Sequence, residues 1–351
     1  MSKLQKTSFA AFLLFVIVLS IVGCGGKKTM TLGSATQLFK SGMEFYDQKK
    51  YARAVEAFQM IVYNYPGESI VDTAQYYLAL SYFGNEEYAL AQVEFNRLIV
   101  NYPSSAYIVN AQFLKAVCFF EGTPKHYGLD QTDLEQAIKL FEDFIIDHPE
   151  SELMPDAQKY LLLAQTRMAR KYYESGVVYV RLNAPTAAKK YFQIVIDDYT
   201  NTEYAPRATY YKAESEMKLG NYDDAIRQFD NFVAVFSEHE WRDKALEKRQ
   251  EAFFMSAEKA FTDSNYTKTI DILDDYLSEY QMVDEITLKK AAFLSAEASF
   301  MNKDYAIARD KFQSYIDDYD RNKRTRKAEK YLEEINEILS RQTVNYGPSE
   351  S

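Results

Sequence analysis

The chain has 351 residues, of which 47% are hydrophobic and 26% are charged, and its formal net charge at pH 7 is -10. This acidic balance makes nucleic acid and anionic lipid surfaces poor partners for the body as a whole. Outside the first 23 residues, β-branched runs are few and apolar residues recur at helical spacing, which predicts an all-α chain without a sheet.

The first 23 residues differ from the rest of the chain. Lys3 and Lys6 give a positive start, and an apolar run without charges extends from Phe9 to Gly23. About 15 apolar residues are too few for a membrane-spanning helix but are typical of a secretory signal. We therefore predict that residues 1–23 are a signal peptide.

The apolar run ends in Ile21-Val22-Gly23-Cys24, which resembles the lipobox of bacterial lipoproteins. The resemblance implies cleavage before Cys24, which then carries a thioether-linked diacylglycerol and an amide-linked acyl chain such as palmitate. Several acyl chains on one residue suffice for stable anchoring, and residues 24–33 would be the lipidated linker. Gly25-Gly26 lacks the aspartate that commonly retains lipoproteins at the inner membrane, which implies sorting to the outer membrane. The alternatives are an ordinary signal peptide with an incidental cysteine and an uncleaved anchor.

A pattern of small and large side chains then recurs seven times along the chain. Each copy has a small residue upstream, and these residues are Gly42, Ala79, Ala116, Gly176, Ala213, Ala257 and Ala296. In all copies but the third, a second small residue or threonine follows twelve positions later, and a large apolar residue follows four positions after that. The first three copies also end in an aromatic or histidine residue followed by proline, namely Tyr65-Pro66, Tyr102-Pro103 and His148-Pro149.

This spacing is typical of the tetratricopeptide repeat, a helix hairpin in which small residues let helix A touch helix B. One hairpin buries only part of its apolar face, so neighbouring hairpins must stack. The pattern predicts an all-α tetratricopeptide-repeat superhelical solenoid of about seven helix hairpins. Residues 34–240 would hold repeats 1–5, and residues 241–340 would hold two additional repeats.

Two irregularities interrupt the spacing, and a basic run follows the last copy. The third unit contains an inserted loop from Glu121 to Thr132, and about Pro155 to Leu182 in the fourth unit is predicted to be one long helix. The basic run consists of Arg321, Lys323, Arg324, Arg326 and Lys327. It would contact an acidic partner surface, or it would simply be the solvent-exposed start of a helix. After it, residues 341–351 are predicted to be a flexible tail.

Catalytic and metal-binding patterns are missing from the sequence. The histidines His126, His148 and His239 lack metal-ligand spacing, and there is no glycine-rich phosphate loop or nucleophile elbow. Cys118, the one cysteine besides Cys24, is expected to be a small buried residue. The sequence therefore indicates a non-enzyme with no metal site and no cofactor other than the lipid on Cys24.

Function is then expected to lie in surfaces, and the repeat register indicates which side chains line the concave wall of the A helices. Positions seven residues apart share one helix face. The residues at these positions are mostly aromatic, and a series of aromatic rings along the concave wall would dock an extended peptide or a helix. The alternative is that these rings pack adjacent A helices together, because rings of this kind recur in all seven copies. In the first three repeats these positions hold Phe39, Tyr46, Tyr76, Phe83, Phe113 and Phe120.

Several of these features together resemble the BamD family, also called the ComL family, which are lipoproteins of the outer-membrane β-barrel assembly machinery. The resemblance covers about residues 24 to 240, and the two extra units depart from the usual pattern of five repeats. The features are the lipobox, the first two Tyr-Pro repeats, Leu129-Asp130-Gln131-Thr132 before Ala137-Ile138-Lys139-Leu140-Phe141, and the long helix with Tyr172-Tyr173.

The resemblance implies an outer-membrane lipoprotein scaffold that is lipid-anchored and faces the periplasm. It would bind the periplasmic domains of the central barrel-assembly protein and present unfolded outer-membrane protein substrates for insertion. In that family the N-terminal repeats are implicated in contacting the substrate's C-terminal strand, which ends in an aromatic residue. Two other classes stay open: a lipoprotein scaffold for cell division or peptidoglycan coordination, and a scaffold for secretion.

Overall fold

The computed structural model describes residues 33–279 and 285–345. Within these two ranges the chain forms fifteen α-helices and no strand. The predicted signal peptide, Cys24 and almost all of the predicted linker lie outside the described residues, as do residues 346–351 of the predicted tail. None of the helices in the described ranges combines the length and apolarity that a membrane crossing needs.

Fourteen of these helices pair into seven hairpins, each with a helix A and a helix B, and α15 follows the last hairpin. The predicted all-α tetratricopeptide-repeat class with about seven hairpins is confirmed, and so is the long helix of the fourth unit, α7. The hairpins are α1 (Ala35–Asp47) with α2 (Tyr51–Asn64), α3 (Val71–Gly84) with α4 (Tyr88–Asn101), α5 (Ile108–Gly122) with α6 (Thr132–Asp147), α7 (Met154–Arg181) with α8 (Pro185–Asp198), α9 (Tyr204–Lys218) with α10 (Tyr222–Val235), α11 (Arg242–Thr262) with α12 (Tyr266–Glu279), and α13 (Glu285–Met301) with α14 (Tyr305–Asp318), before α15 (Lys323–Asn345).

The chain divides into two compact units, Met1–Thr123 with Gln136–Gln158 and Pro124–Glu135 with Lys159–Ser351. In the first unit, consecutive helices pack against each other from α1 through α5. In the second unit the same holds from α8 to α15, and the A helices α9, α11 and α13 also touch in that order. Each unit is thus a stack of sequential hairpins, as expected for a repeat array.

In the first and fourth hairpins, one large side chain of helix B meets the small residue of helix A. At Gly42 an added Cβ atom would lie 2.7 Å from the ring of Phe58, and at Gly176 it would lie 2.5 Å from the ring of Phe192. These two predicted small residues therefore lie in close contact with helix B. The large helix B side chains are all fully buried, and they are Phe58, Phe95, Phe141, Phe192, Phe229, Leu273 and Phe312.

The turns inside six of the hairpins share one backbone conformation. In each, the residue two positions before helix B has a positive φ, between 52° and 75°. The N–H of the next residue then donates to a carbonyl five residues earlier, as from Lys50 to Phe45 at 2.8 Å. This is the Schellman ending of an α-helix. The six positive-φ residues are Lys49, Glu86, Asn183, Gly220, Ser264 and Lys303.

The third hairpin replaces this turn with the inserted loop. The buried side chain of Gln131 donates from Nε2 to the backbone carbonyls of Pro124 at 3.0 Å and Asp130 at 3.2 Å. Arg167 of α7 also donates to the Pro124 carbonyl, at 3.0 Å, and the Arg170 guanidinium lies 5.3 Å from the ring centre of Tyr127. The loop from residue 124 to residue 131 is therefore organised around one amide and attached to α7.

Helix α15 covers the last hairpin of the second unit. The ring of Tyr331 stacks on the ring of Phe312, with centres 4.8 Å apart, and Ile335 is fully buried beside them. This apolar face gives the last helix B a partner, as a terminal repeat requires. The helix continues to Asn345, so the predicted tail from residue 341 begins inside it.

We expect Gly176→Ala to lower the free energy of unfolding by about 1 to 2 kcal/mol, because the added methyl group meets the buried ring of Phe192 and outweighs the gain in helix propensity. Urea unfolding followed by circular dichroism measures the change. Gly122→Ala is the matched control, since its Cβ atom would lie at an ordinary 3.5 Å from the Cβ atom of Tyr88. Equal stability of the two variants would contradict the assigned contact.

Candidate peptide-binding groove

The six predicted groove residues lie on the A helices α1, α3 and α5 of the first unit. Three of them are buried, with exposed fractions of 8% for Tyr76, 7% for Phe113 and 8% for Phe120. The other three, on α1 and α3, are half-buried, and they are Phe39, Tyr46 and Phe83. Only this second group presents substantial ring surface to a ligand.

Phe39 and Tyr46 both meet Tyr77, a ring of the second hairpin that the sequence did not single out. The ring centre of Tyr77 lies 6.0 Å from that of Phe39 and 5.5 Å from that of Tyr46, both in edge-to-face geometry. Tyr77 also stacks on the buried ring of Phe58, at 5.9 Å. Tyr77 therefore joins the A helices of the first two hairpins to the core of the first.

A signal for Tyr77 exists in the sequence, but it is weak. Tyr77 stands two residues before the small Ala79, and Tyr211 stands in the same place before Ala213. In the second unit Tyr211 stacks on Phe192 at 5.7 Å, as Tyr77 does on Phe58 in the first. The remaining copies do not have an aromatic residue at this position, so the spacing alone does not predict the stack.

Tyr76 packs against helix B of its own hairpin and against Tyr107, which immediately precedes the third hairpin. Its ring stacks on Tyr107 with centres 4.4 Å apart and lies 6.0 Å from the ring of Phe95. Burial, with smaller contributions from neighbouring tyrosines, raises the pKa of Tyr76 to about 12. Tyr76 is therefore a neutral residue of the core at any physiological pH.

Phe83 and Phe113 pack against the helix B of their own hairpins. The ring centre of Phe83 lies 5.4 Å from that of Tyr88, and Phe113 lies 6.1 Å from Phe141 and 5.7 Å from Phe144. The structure thus brings Phe39 and Tyr46 to one shared partner and gives Phe83 and Phe113 separate ones. These rings pack between helices, and peptide binding by the half-buried group stays a prediction.

The other chemistry-bearing residues have structural surroundings. Burial raises the pKa of the Cys118 thiol to about 12, which confirms the prediction of a small buried residue. His126 and His239 accept backbone hydrogen bonds from Gly128 and Trp241, and His148 shares a 2.7 Å hydrogen bond with Gln112. In the part of the chain that the structure describes, no three His, Cys, Asp or Glu residues are grouped so as to hold a metal ion.

Comparison with known proteins assigns the repeats to a family. The family model described as YfiO, outer membrane lipoprotein, matches residues 32–231. The chain belongs to this family. The outer membrane protein assembly factor BamD of Rickettsia prowazekii (strain Madrid E) is 31% identical over 214 residues, which are 60% of this chain and 85% of that protein. The resemblance to the BamD family is therefore confirmed, and membership associates the chain with the outer membrane.

Two solved structures are more distantly similar. A tetratricopeptide repeat protein from Parabacteroides merdae ATCC 43184 is 14% identical, with a TM-score of 0.28, and the alignment covers 86% of this chain and 98% of that one. The TPR2AB domain of yeast Sti1, in a pHSP90 complex, is 15% identical with a TM-score of 0.35, covering 76% of this chain and 98% of that one.

We expect stability at alkaline pH to depend on Tyr76. Because its folded pKa of about 12 lies above the ordinary value of 10.0, the stability that the neutral hydroxyl contributes is complete below about pH 10 and is lost as the pH rises toward 12. Tyr76→Phe keeps the ring and removes this titration, so the variant should gain stability relative to the parent above about pH 10. Urea midpoints measured across this pH range test the expectation. A constant difference between variant and parent would contradict it.

Proposed function

We propose that this protein is a lipid-anchored scaffold of outer-membrane β-barrel assembly that faces the periplasm. The observation that supports the proposal is the family match over residues 32–231, together with the identity to a relative named as an outer membrane protein assembly factor. The match covers 85% of that relative, so most of the relative's chain has a counterpart here.

In this role the protein binds the periplasmic domains of the central barrel-assembly protein and holds unfolded outer-membrane protein substrates. Repeat arrays bind through extended surfaces built from several hairpins rather than through one enclosed pocket. The protein then acts by holding its partners in place, and it is not an enzyme. It needs no cofactor besides the lipid.

Cys24 provides the anchor in this proposal. The signal peptide of residues 1–23 is removed, and Cys24 carries the diacylglycerol and the acyl chain that hold the protein in the outer membrane. The first helix begins at Ala35, so even a fully extended linker would keep the first hairpin within about 40 Å of the lipid surface. A short tether of this kind raises the local concentration of the scaffold at the membrane.

The half-buried rings of the first two hairpins are the positions that we propose for contact with substrate. Phe39, Tyr46 and Phe83 keep exposed ring surface on two neighbouring A helices. An aromatic residue at the end of a substrate strand would pack against such rings in offset or edge-to-face geometry. The buried Tyr76, Phe113 and Phe120 would support the wall from behind.

The partner is tested by purifying the tagged protein from mildly solubilised membranes and identifying what accompanies it by mass spectrometry. We expect a large barrel protein with periplasmic transport-associated domains at near-equal amount. Cys24→Ser should move the scaffold out of the outer-membrane fraction and lower the recovery of that barrel, because the lipid is absent. Recovery of division, peptidoglycan or secretion components without such a barrel would overturn the proposal.

The substrate contact is tested with Phe39→Ser combined with Phe83→Ser. Binding of a synthetic peptide with the sequence of a substrate's C-terminal strand should weaken by about tenfold or more, because two aromatic contacts are lost. Val93→Ser combined with Val100→Ser is the matched control, since these exposed side chains lie on helix B of the second hairpin. Full affinity of the first variant, with an intact helical spectrum, would refute this role for the two rings.

A further inference from the structure

A basic groove lies in the second unit, beyond the residues that match the family. It is a cavity of about 1210 Å³ between α11, α13, α14 and α15. Two carboxylates, those of Glu258 and Glu297, also line it. The chain as a whole has 51 acidic and 41 basic residues, so the groove reverses the charge balance of the protein. The seven basic residues that line it are Lys289, Lys290, Lys323, Arg324, Arg326, Lys327 and Lys330.

Among the residues that the structure describes, only two of the seven cations have a carboxylate partner. The Nζ atom of Lys327 lies 2.6 Å from Oε1 of Glu297, and that of Lys289 lies 2.5 Å from Oε1 of Glu285. The other five form no ion pair with the residues in the ranges 33–279 and 285–345. The groove therefore concentrates positive charge that the described part of the protein does not neutralise.

The floor between these cations is apolar and contains one donor without a partner. Phe254, Phe293 and Leu294 line it, and the side chain of Ile286 is 66% exposed. Tyr315 also lines the floor and is only 2% exposed, yet its hydroxyl has no hydrogen-bond partner among the described residues. A buried hydroxyl without a partner is unfavourable, and the apolar side chains of the floor are the groups that an occupant can reach.

The start of α15 adds cations where the helix itself is already positive. Lys323 and Arg324 lie in the first turn, which has no acidic side chain. The Oδ1 atom of Asn322 accepts the backbone N–H groups of Arg324 at 2.6 Å and Thr325 at 3.2 Å, so the cap is an uncharged amide. Cations at a helix N-terminus are destabilising, and a bound anion would remove that cost.

We propose that this groove docks an acidic peptide segment of a partner protein. Its carboxylates lie against the unpaired cations of α13 and α15, and an aromatic or aliphatic side chain between them lies on the apolar floor. A concave site with an apolar floor favours a peptide over a membrane surface, because a flat surface would reach only the outermost cations. The proposal does not rest on the assembly function, since every lining residue lies beyond residue 231.

The test measures fluorescence anisotropy with the full-length protein in a nonionic detergent. The probe is a labelled peptide of sequence Asp-Asp-Glu-Phe-Leu-Glu-Asp, and the comparison peptide has Asn and Gln in place of Asp and Glu. We expect the acidic peptide to bind at least about tenfold more tightly than the amide peptide. Its affinity should fall as the salt concentration rises, because the contacts are charged.

The decisive variant reverses three exposed, unpaired cations of the groove: Lys290→Glu, Arg324→Glu and Lys330→Glu. Affinity for the acidic peptide should fall at least about tenfold while the helical spectrum is unchanged. The matched control makes the same change in net charge at exposed lysines of the same unit outside the groove, and it should keep its affinity within about threefold. The control substitutions are Lys159→Glu, Lys190→Glu and Lys218→Glu.

Ile286→Ser tests the floor without changing charge, and the exposed position of this side chain leaves the fold intact. The acidic peptide should then bind several times more weakly. Equal losses in the two triple variants, or equal binding of the two peptides, would overturn recognition by the groove. Binding of phosphatidylglycerol vesicles that the groove variant loses, without binding of the acidic peptide, would replace the peptide with a membrane contact.

Discussion

The close contact between a large buried side chain of helix B and a small residue of helix A is the constraint on which the hairpins depend. A Cβ atom at Gly42 would come within 2.7 Å of the Phe58 ring, so the two helices can approach only because the side chain is absent. The same ring also stacks on Tyr77 of the next hairpin, with ring centres 5.9 Å apart. One phenylalanine thus belongs to two interfaces, and in an array stabilised by nearest neighbours a change there weakens both.

This double use of the rings also limits where function can lie in the first unit. An aromatic residue on helix A is favoured for packing alone, because it covers the core of its own hairpin or of a neighbouring one. Tyr76 shows this most clearly, since it is buried against Tyr107 and Phe95 and its pKa is raised by that burial. Ligand contact is left to rings with residual exposure, such as Phe39 and Phe83. The same sequence pattern therefore fits both a packing role and a ligand-binding role, and only the burial of each ring distinguishes the two.

The sequence predicted the hairpins because their closest contacts require small residues at a fixed spacing. It did not predict the turns, since five of the six left-handed positions hold Lys, Glu, Asn or Ser rather than glycine. Their strain is offset by paired Schellman hydrogen bonds, which are backbone interactions that leave no mark in the sequence. Gln131 was missed as an organising residue for a similar reason, because its carbonyl partners belong to a loop without periodicity. The basic run was visible, but the cations of α13 and the apolar floor that complete the groove depend on packing.

Helix α15 combines two tasks that are chemically separable. Its apolar face covers the last hairpin through Tyr331 on Phe312, and five of the seven groove cations lie on it. Glu297 connects the two tasks, because it accepts the Tyr331 hydroxyl at 2.7 Å and pairs with Lys327 at 2.6 Å. Removing the helix would therefore abolish both the cover and the charge. The unpaired cations, by contrast, lie outside this network, so their charge contributes nothing to the cover and is available to select an acidic partner.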